Sequence, residues 1–147
     1  MNYIKNYLLI ILKSLARIIV IFVLLTPSTH AATEDETEFL RAAFSGKTET
    51  ITQFLEKGVN INFQNEMGFT ALIIASQFGH SEIVKKLLES NADVNHKNAG
   101  GVTALIIATK NGHADIVDML LAKGADINVQ TTDGITPLML AIQKGRD

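Results

Sequence analysis

A recurrence at 33 residues limits this 147-residue chain more than any other feature. Gly68-Phe69-Thr70-Ala71-Leu72-Ile73-Ile74-Ala75 returns as Gly101-Val102-Thr103-Ala104-Leu105-Ile106-Ile107-Ala108. It starts again at Gly134-Ile135-Thr136-Pro137-Leu138. The other half of the unit also returns: Gly79-His80-Ser81-Glu82-Ile83-Val84 as Gly112-His113-Ala114-Asp115-Ile116-Val117, and Asn91-Ala92-Asp93-Val94-Asn95 as Gly124-Ala125-Asp126-Ile127-Asn128. A fixed period of this length means stacked copies of one supersecondary unit, each hiding its apolar flank against the next. Such a thin array seldom offers the enclosed cleft that paired catalytic carboxylates need.

Each unit holds two short apolar runs at helical spacing. Leu72, Ile73 and Ala75 recur as Leu105, Ile106 and Ala108; Ile83, Val84, Leu87 and Leu88 recur as Ile116, Val117, Leu120 and Leu121. Positions i, i+1, i+4 and i+5 share one side of a helix. Thr70, Thr103 and Thr136 stand where an N-cap hydroxyl accepts a free backbone N–H. Pro137 follows at the one helical position that needs no N–H. Glu82 and Asp115 fall in the first turn of the second helix, where its dipole favours an acid. Gly58, Asn91 and Gly124 end that helix, and Gly and Asn are the residues that best accept a left-handed cap. Gly68, Gly101 and Gly134 close the linking segment, where a tight hairpin-like turn calls for positive φ.

The resulting pattern, G-x-T-A-L-x-x-A, G-H, I-V-x-x-L-L and G/N-A-D-(V/I)-N, resembles the ankyrin repeat over roughly residues 37–147. The resemblance implies an all-α solenoid of helix–turn–helix units with hairpin-like loops, about three and a half repeats long, that binds proteins. The units are 37–67 (a capping repeat), 68–100, 101–133 and an incomplete 134–147. One departure stands out. The family usually has T-P-L-H, with the His bonded back to the Thr. Here Ile73, Ile106 and Met139 take that place, so apolar packing is expected instead of the polar tie.

The first 31 residues differ in kind. Lys5, Lys13 and Arg17 are their only charged groups, and Ile18 to Leu25 is unbroken apolar sequence. Thr29-His30-Ala31 offers small residues at a cleavage position. A basic start, an apolar core and a small-residue cut describe a secretory signal, with residues 32–36 left as a polar linker. The alternative is an uncleaved anchor over residues 4–25. Lys13 and Arg17 count against a membrane span, where each cation is costly. Either way the basic residues precede the apolar run, which places the repeats outside the cytoplasm, periplasmic or secreted, as in an exported bacterial protein.

Without residues 1–31 the chain keeps ten basic and fifteen acidic residues, an excess of acid that disfavours nucleic-acid binding. There is no cysteine, so no disulfide supports the fold. The period reaches back from Leu72 to Phe39 and from Leu87 to Phe54, so residues 36–57 are expected to form the first helix pair. At the other end, Asp147 aligns with Ala114, so the fourth unit has its first helix only. Leu138, Met139 and Ile142 then lack their cover. The expectations are a fragment of a longer array, a frayed end, or pairing with a partner or with a second copy.

The candidate binding residues are those that vary against the fixed frame. On the hairpin tips these are Met67, Phe69, Asn98, Val102, Asp133 and Ile135; on the inner helix they are Gln77, Phe78, Lys110 and Asn111. Phe44, Ser76, Thr109, Gln143 and Lys144 belong to the same variable set. Phe69 and Phe78 matter most, because their counterparts Val102 and Asn111 show that the frame does not require an aromatic ring, and aromatic side chains anchor interfaces. His80 and His113 are assigned to the interhelix turn, since no pair has metal-ligand spacing. His96 falls on a tip. Asp93 and Asp126 are expected to bond loop backbone. With no nucleophile or phosphate-loop motif, no catalytic, cofactor or metal site is expected, and the partner is an unspecified protein. A membrane partner enters only with an uncleaved N-terminus.

Overall fold

The computed structural model describes residues 33–145, and the signal-sequence or anchor expectation for residues 1–31 lies outside them. The described residues form α1 (Glu34–Ser45), α2 (Thr48–Glu56), α3 (Ala71–Phe78), α4 (Ser81–Glu89), α5 (Ala104–Asn111), α6 (Ala114–Ala122) and α7 (Pro137–Lys144). Helices α1, α3, α5 and α7 lie side by side as an inner row, and α2, α4 and α6 form an outer row. The inner row is the more closely packed, so the array curves with that row on its concave side. No helix among the described residues is long and apolar enough to cross a membrane.

The caps stand where the sequence puts them. Thr70, Thr103 and Thr136 each accept the backbone N–H three residues on, from Ile73, Ile106 and Met139. Thr70 and Thr103 are buried, so their helices begin inside the array. Gly58, Asn91 and Gly124 are left-handed, with φ of 77°, 63° and 84°. At each linking turn the required φ is likewise positive, 79° at Gly68 and 73° at Gly101.

One boundary departs from expectation. Helix α1 starts at Glu34, inside the segment read as a linker at residues 32–36. Thr33 and Glu36 form a reciprocal capping box: Glu36 N–H donates to Thr33 Oγ1 at 3.2 Å, and Thr33 N–H donates to the Glu36 carboxylate at 3.0 Å. This satisfies two end N–H groups one turn earlier than in later repeats.

The core is a line of equivalent side chains. Phe39, Leu72 and Leu105 are buried one repeat apart, as are Phe54, Leu87 and Leu120 beneath the outer row. Ile73 and Ile106 are buried too, so apolar packing does replace the family's histidine there. Met139, the third residue at that position, is 57% exposed.

Candidate functional site

Three sets of side chains join one repeat to the next, and they decide which groups remain free for a partner. His80 donates from Nε2 to the Phe44 carbonyl at 3.1 Å, and His113 does the same to Gln77 at 3.3 Å. Each ring lies over the glycine of the preceding turn: a Cβ on Gly46 or Gly79 would come within 2.8 Å of its His. The recurring histidines are therefore ties between repeats. Lys47 holds the equivalent place in the first repeat, before which no described repeat supplies a carbonyl. Asn62 and Asn95 form a second ladder, their Oδ1 atoms each accepting the N–H of Asp93 or Asp126 at 2.8 Å. Asp93 and Asp126 in turn accept from Asn95 and Asn128 N–H, as loop-forming acids should.

The tips are tied as well. Asn98 Oδ1 accepts the N–H groups of Gly100 and Val102, each at 2.9 Å, so its side chain shapes the turn. Asn65 does the same for Met67 and Phe69. Successive tips meet through Ala99 N–H to Met67 carbonyl and Thr132 N–H to Gly100 carbonyl. His96 adds a bond from Nε2 to the Gly68 carbonyl at 3.1 Å.

On the tip row Met67, Asp133 and Ile135 are exposed, while Phe69 and Val102 are half-buried, Phe69 against the core. On the inner row Lys110 and Asn111 are exposed and Gln77 is half-buried. Asn111 Nδ2 donates to the Gln77 carbonyl at 2.7 Å, so that carboxamide is partly committed to the fold. Ser76 is fully buried, which removes it from the variable surface set, and its hydroxyl has no partner.

Phe44 and Phe78 come together at the carboxyl ends of α1 and α3. Their ring centroids are 4.6 Å apart in an edge-on arrangement, and both rings stay well exposed, at 56% and 43%. Phe78 also stacks on the His80 ring. The pair is diagonal, since Phe44 aligns with Gln77 and Phe78 with Ser45, so a search for identical positions misses it. The tips lie at the opposite end of the inner helices, about 12 Å away for eight residues at 1.5 Å rise. The candidate residues thus make two bands, with half-buried Ile74 and Ile107 on the helices between them.

Charge is unevenly placed within the inner row: α3, α5 and α7 carry Lys110 and Lys144 and no acid, whereas α1 carries Glu34, Asp35, Glu36 and Glu38 with Arg41. The Ser81 hydroxyl donates to Asp115 and, outweighing some desolvation, holds its carboxyl below the ordinary range, helped by backbone N–H groups and His113. Among the described residues no three His, Asp or Glu side chains are grouped to hold a metal.

A model of three ankyrin repeats matches residues 20–98, 39–131 and 96–147. The chain belongs to the ankyrin-repeat family. No curated protein matches it. Ankyrin repeats are in general protein–protein interaction modules and typically not enzymes, in keeping with a fold that spends its recurring polar groups on joining repeats.

Proposed function

We propose that the chain is an exported, non-enzymatic ankyrin-repeat module that binds a protein partner on its concave side, with Phe44 and Phe78 as the apolar anchor. The observation that carries this reading is the exposed aromatic pair on a face whose other recurring groups are engaged in the fold. An edge-on pair of rings offers a rigid apolar step at little cost in conformational freedom. Lys110 and Lys144, with no acid on their helices, favour a partner segment that carries carboxylates beside its apolar residue. Met67, Asp133 and Ile135 on the tips extend the contact.

Export rests on the signal-like residues 1–31, with periplasm or exterior as the destination. A membrane-anchored accessory domain and a secreted effector are the alternatives, and both keep the same face. N-terminal sequencing of the mature protein separates anchor from signal: a start near Ala32 eliminates the anchor. The face is tested by a photo-crosslinking residue at Lys110 in the protein's own cell. A defined adduct should form there, fade with Phe44→Ala and Phe78→Ala together, and be absent when the probe is moved to Lys85 on the outer row. Equal adducts from both positions, or one indifferent to the two rings, would refute this face.

A further inference from the structure

The strip that carries the aromatic pair has an order along the stack. Two columns of residues, each stepping by one repeat, end the inner helices. Phe44, Gln77 and Lys110 form one, and Ser45, Phe78, Asn111 and Lys144 form the other. Rings therefore stand at α1 and α3, and cations at α5 and α7. The two cations converge. Lys110 projects from the last turn of α5 and is exposed. Lys144 starts from α7 but reaches back, its Nζ 3.3 Å from where a Cβ on Gly112 would stand. Both thus serve the carboxyl end of α5, one repeat beyond Phe78, where the helix dipole also favours positive charge. Neither is paired among the described residues. The one ion pair formed there is Glu38–Arg41 at 3.1 Å, and Asp115, the acid closest to Lys110 along the chain, accepts from the Ser81 hydroxyl.

The spacing selects the form of a ligand. Neighbouring helices pack about 8–10 Å apart, so a segment that touches both the rings and the cations must hold an apolar side chain and a carboxylate that far apart on one face. A β-strand places same-face side chains about 6.6 or 13 Å apart, two or four residues along. A polyproline II chain turns once every three residues and rises about 3.1 Å per residue, so positions i and i+3 share a face about 9 Å apart. A helix reaches a similar span only at i and i+7, and so short a helix is marginal in water. Between Phe44 and Lys110 stands Gln77. Asn111 and His113 take its main-chain carbonyl, which leaves its carboxamide to meet a peptide group of the ligand.

We propose that this strip takes an extended acidic segment of a partner protein in polyproline II form, with an apolar side chain against Phe44 and Phe78 and an Asp or Glu three residues away held by Lys110 and Lys144. The inference rests on the concave face assigned above and adds the form and charge spacing of what binds it. Complementary charge at a fixed distance from an apolar anchor gives such a contact its register.

The probe is the labelled peptide Glu-Pro-Pro-Leu-Pro-Pro-Glu, capped at both ends so that its side chains supply the only carboxylates, and symmetric so that either chain direction is served. Added to the full chain, it should shift the ring resonances of Phe44 and Phe78 and bind about fivefold more tightly than the same peptide with Gln for Glu. A peptide with Glu two residues from Leu, and a helical one with the two seven residues apart, should bind no better than the Gln peptide. Lys110→Ala should erase the preference for Glu and leave the Gln peptide's affinity unchanged, whereas Lys47→Ala, beside α1, should preserve the preference. Phe44→Ala and Phe78→Ala together should abolish binding of both peptides with helicity retained. Equal affinity for Glu and Gln, tighter binding at another spacing, or a preference that survives Lys110→Ala overturns the inference; ring resonances that still move would leave the concave face standing. Rings unmoved by every peptide up to millimolar concentration also overturn it, and the crosslink at Lys110 then judges the face separately.

Discussion

Leu105 and Leu138 are the same residue at the same place in successive repeats, which makes them a controlled pair. Each follows a Thr cap by two positions on an inner helix. Leu105 is 2% exposed and Leu138 is 67% exposed. Leu105→Ala removes buried methyl groups and leaves a cavity between α3, α5 and α7, a change that costs about 2–5 kcal/mol. Full burial of a leucine is worth about 1.5–3 kcal/mol, and only a third of Leu138 is out of water, so Leu138→Ala should cost at most about 1 kcal/mol. Urea unfolding of the full chain, followed by circular dichroism at a helical wavelength, should show a large fall in midpoint for Leu105→Ala and a small one for Leu138→Ala. Similar slopes would keep the comparison one of stability. Equal costs would refute the reasoning, because they would mean that the end of the array is covered as fully as its interior.

Ser76 carries a buried hydroxyl without a partner, so Ser76→Ala should raise stability by about 0.5–1.5 kcal/mol in the same assay, and a loss would show that the hydroxyl is satisfied. Gly58 and Gly79 share positive φ, but a Cβ on Gly58 meets open space whereas one on Gly79 meets the His113 ring at 2.8 Å. Gly79→Ala should therefore cost clearly more than the roughly 1 kcal/mol of backbone strain expected for Gly58→Ala, and equal costs would count against the His113 tie. Ser81→Ala should move the Asp115 carboxyl back up toward its ordinary value, read from its carbon resonance against pH. Because folding lowers that value, the associated stability is present above the unfolded-state value and is lost as pH falls through the folded one. An unmoved titration would mean that Ser81 is not the main cause.

The parts of the fold legible in sequence are those set by neighbours along the chain. Thr70, Thr103 and Thr136 cap helices through bonds that reach three residues, and Gly58, Asn91 and Gly124 end them through local φ, so spacing was enough to find them. Thr33 and Glu36 are equally local, but an acidic polar run also fits a linker, and only its Thr-x-x-Glu spacing marks the start of α1. Ser76 failed for another reason. The residues aligned with it, Ala43, Thr109 and Ile142, differ in polarity, which looks like surface variation, but the position is closed by the helices on either side. Phe44 and Phe78 meet only because adjacent inner helices bring a residue of one turn beside the next residue of its neighbour, a diagonal that the repeat length alone does not supply.

The ties between repeats give the array a direction. A repeat's histidine reaches back to the carbonyl behind it, and its Asp N–H is met by the Asn of the repeat behind. The first described repeat carries Lys47 in place of the histidine and a longer, self-capped α1 with a Glu38–Arg41 pair at 3.1 Å. A terminal repeat that faces water with polar groups costs the array little. On the last described helices the groups equivalent to those that receive a following repeat are exposed, Leu138 and Ile142 among them. Transplanting the α1 solution tests this: polar replacements at Leu138 and Ile142 together should improve solubility without lowering the unfolding midpoint by more than about 1–2 kcal/mol equivalent, since both side chains are more than half exposed. Loss of the folded state on that double change would show that these side chains are already buried against something.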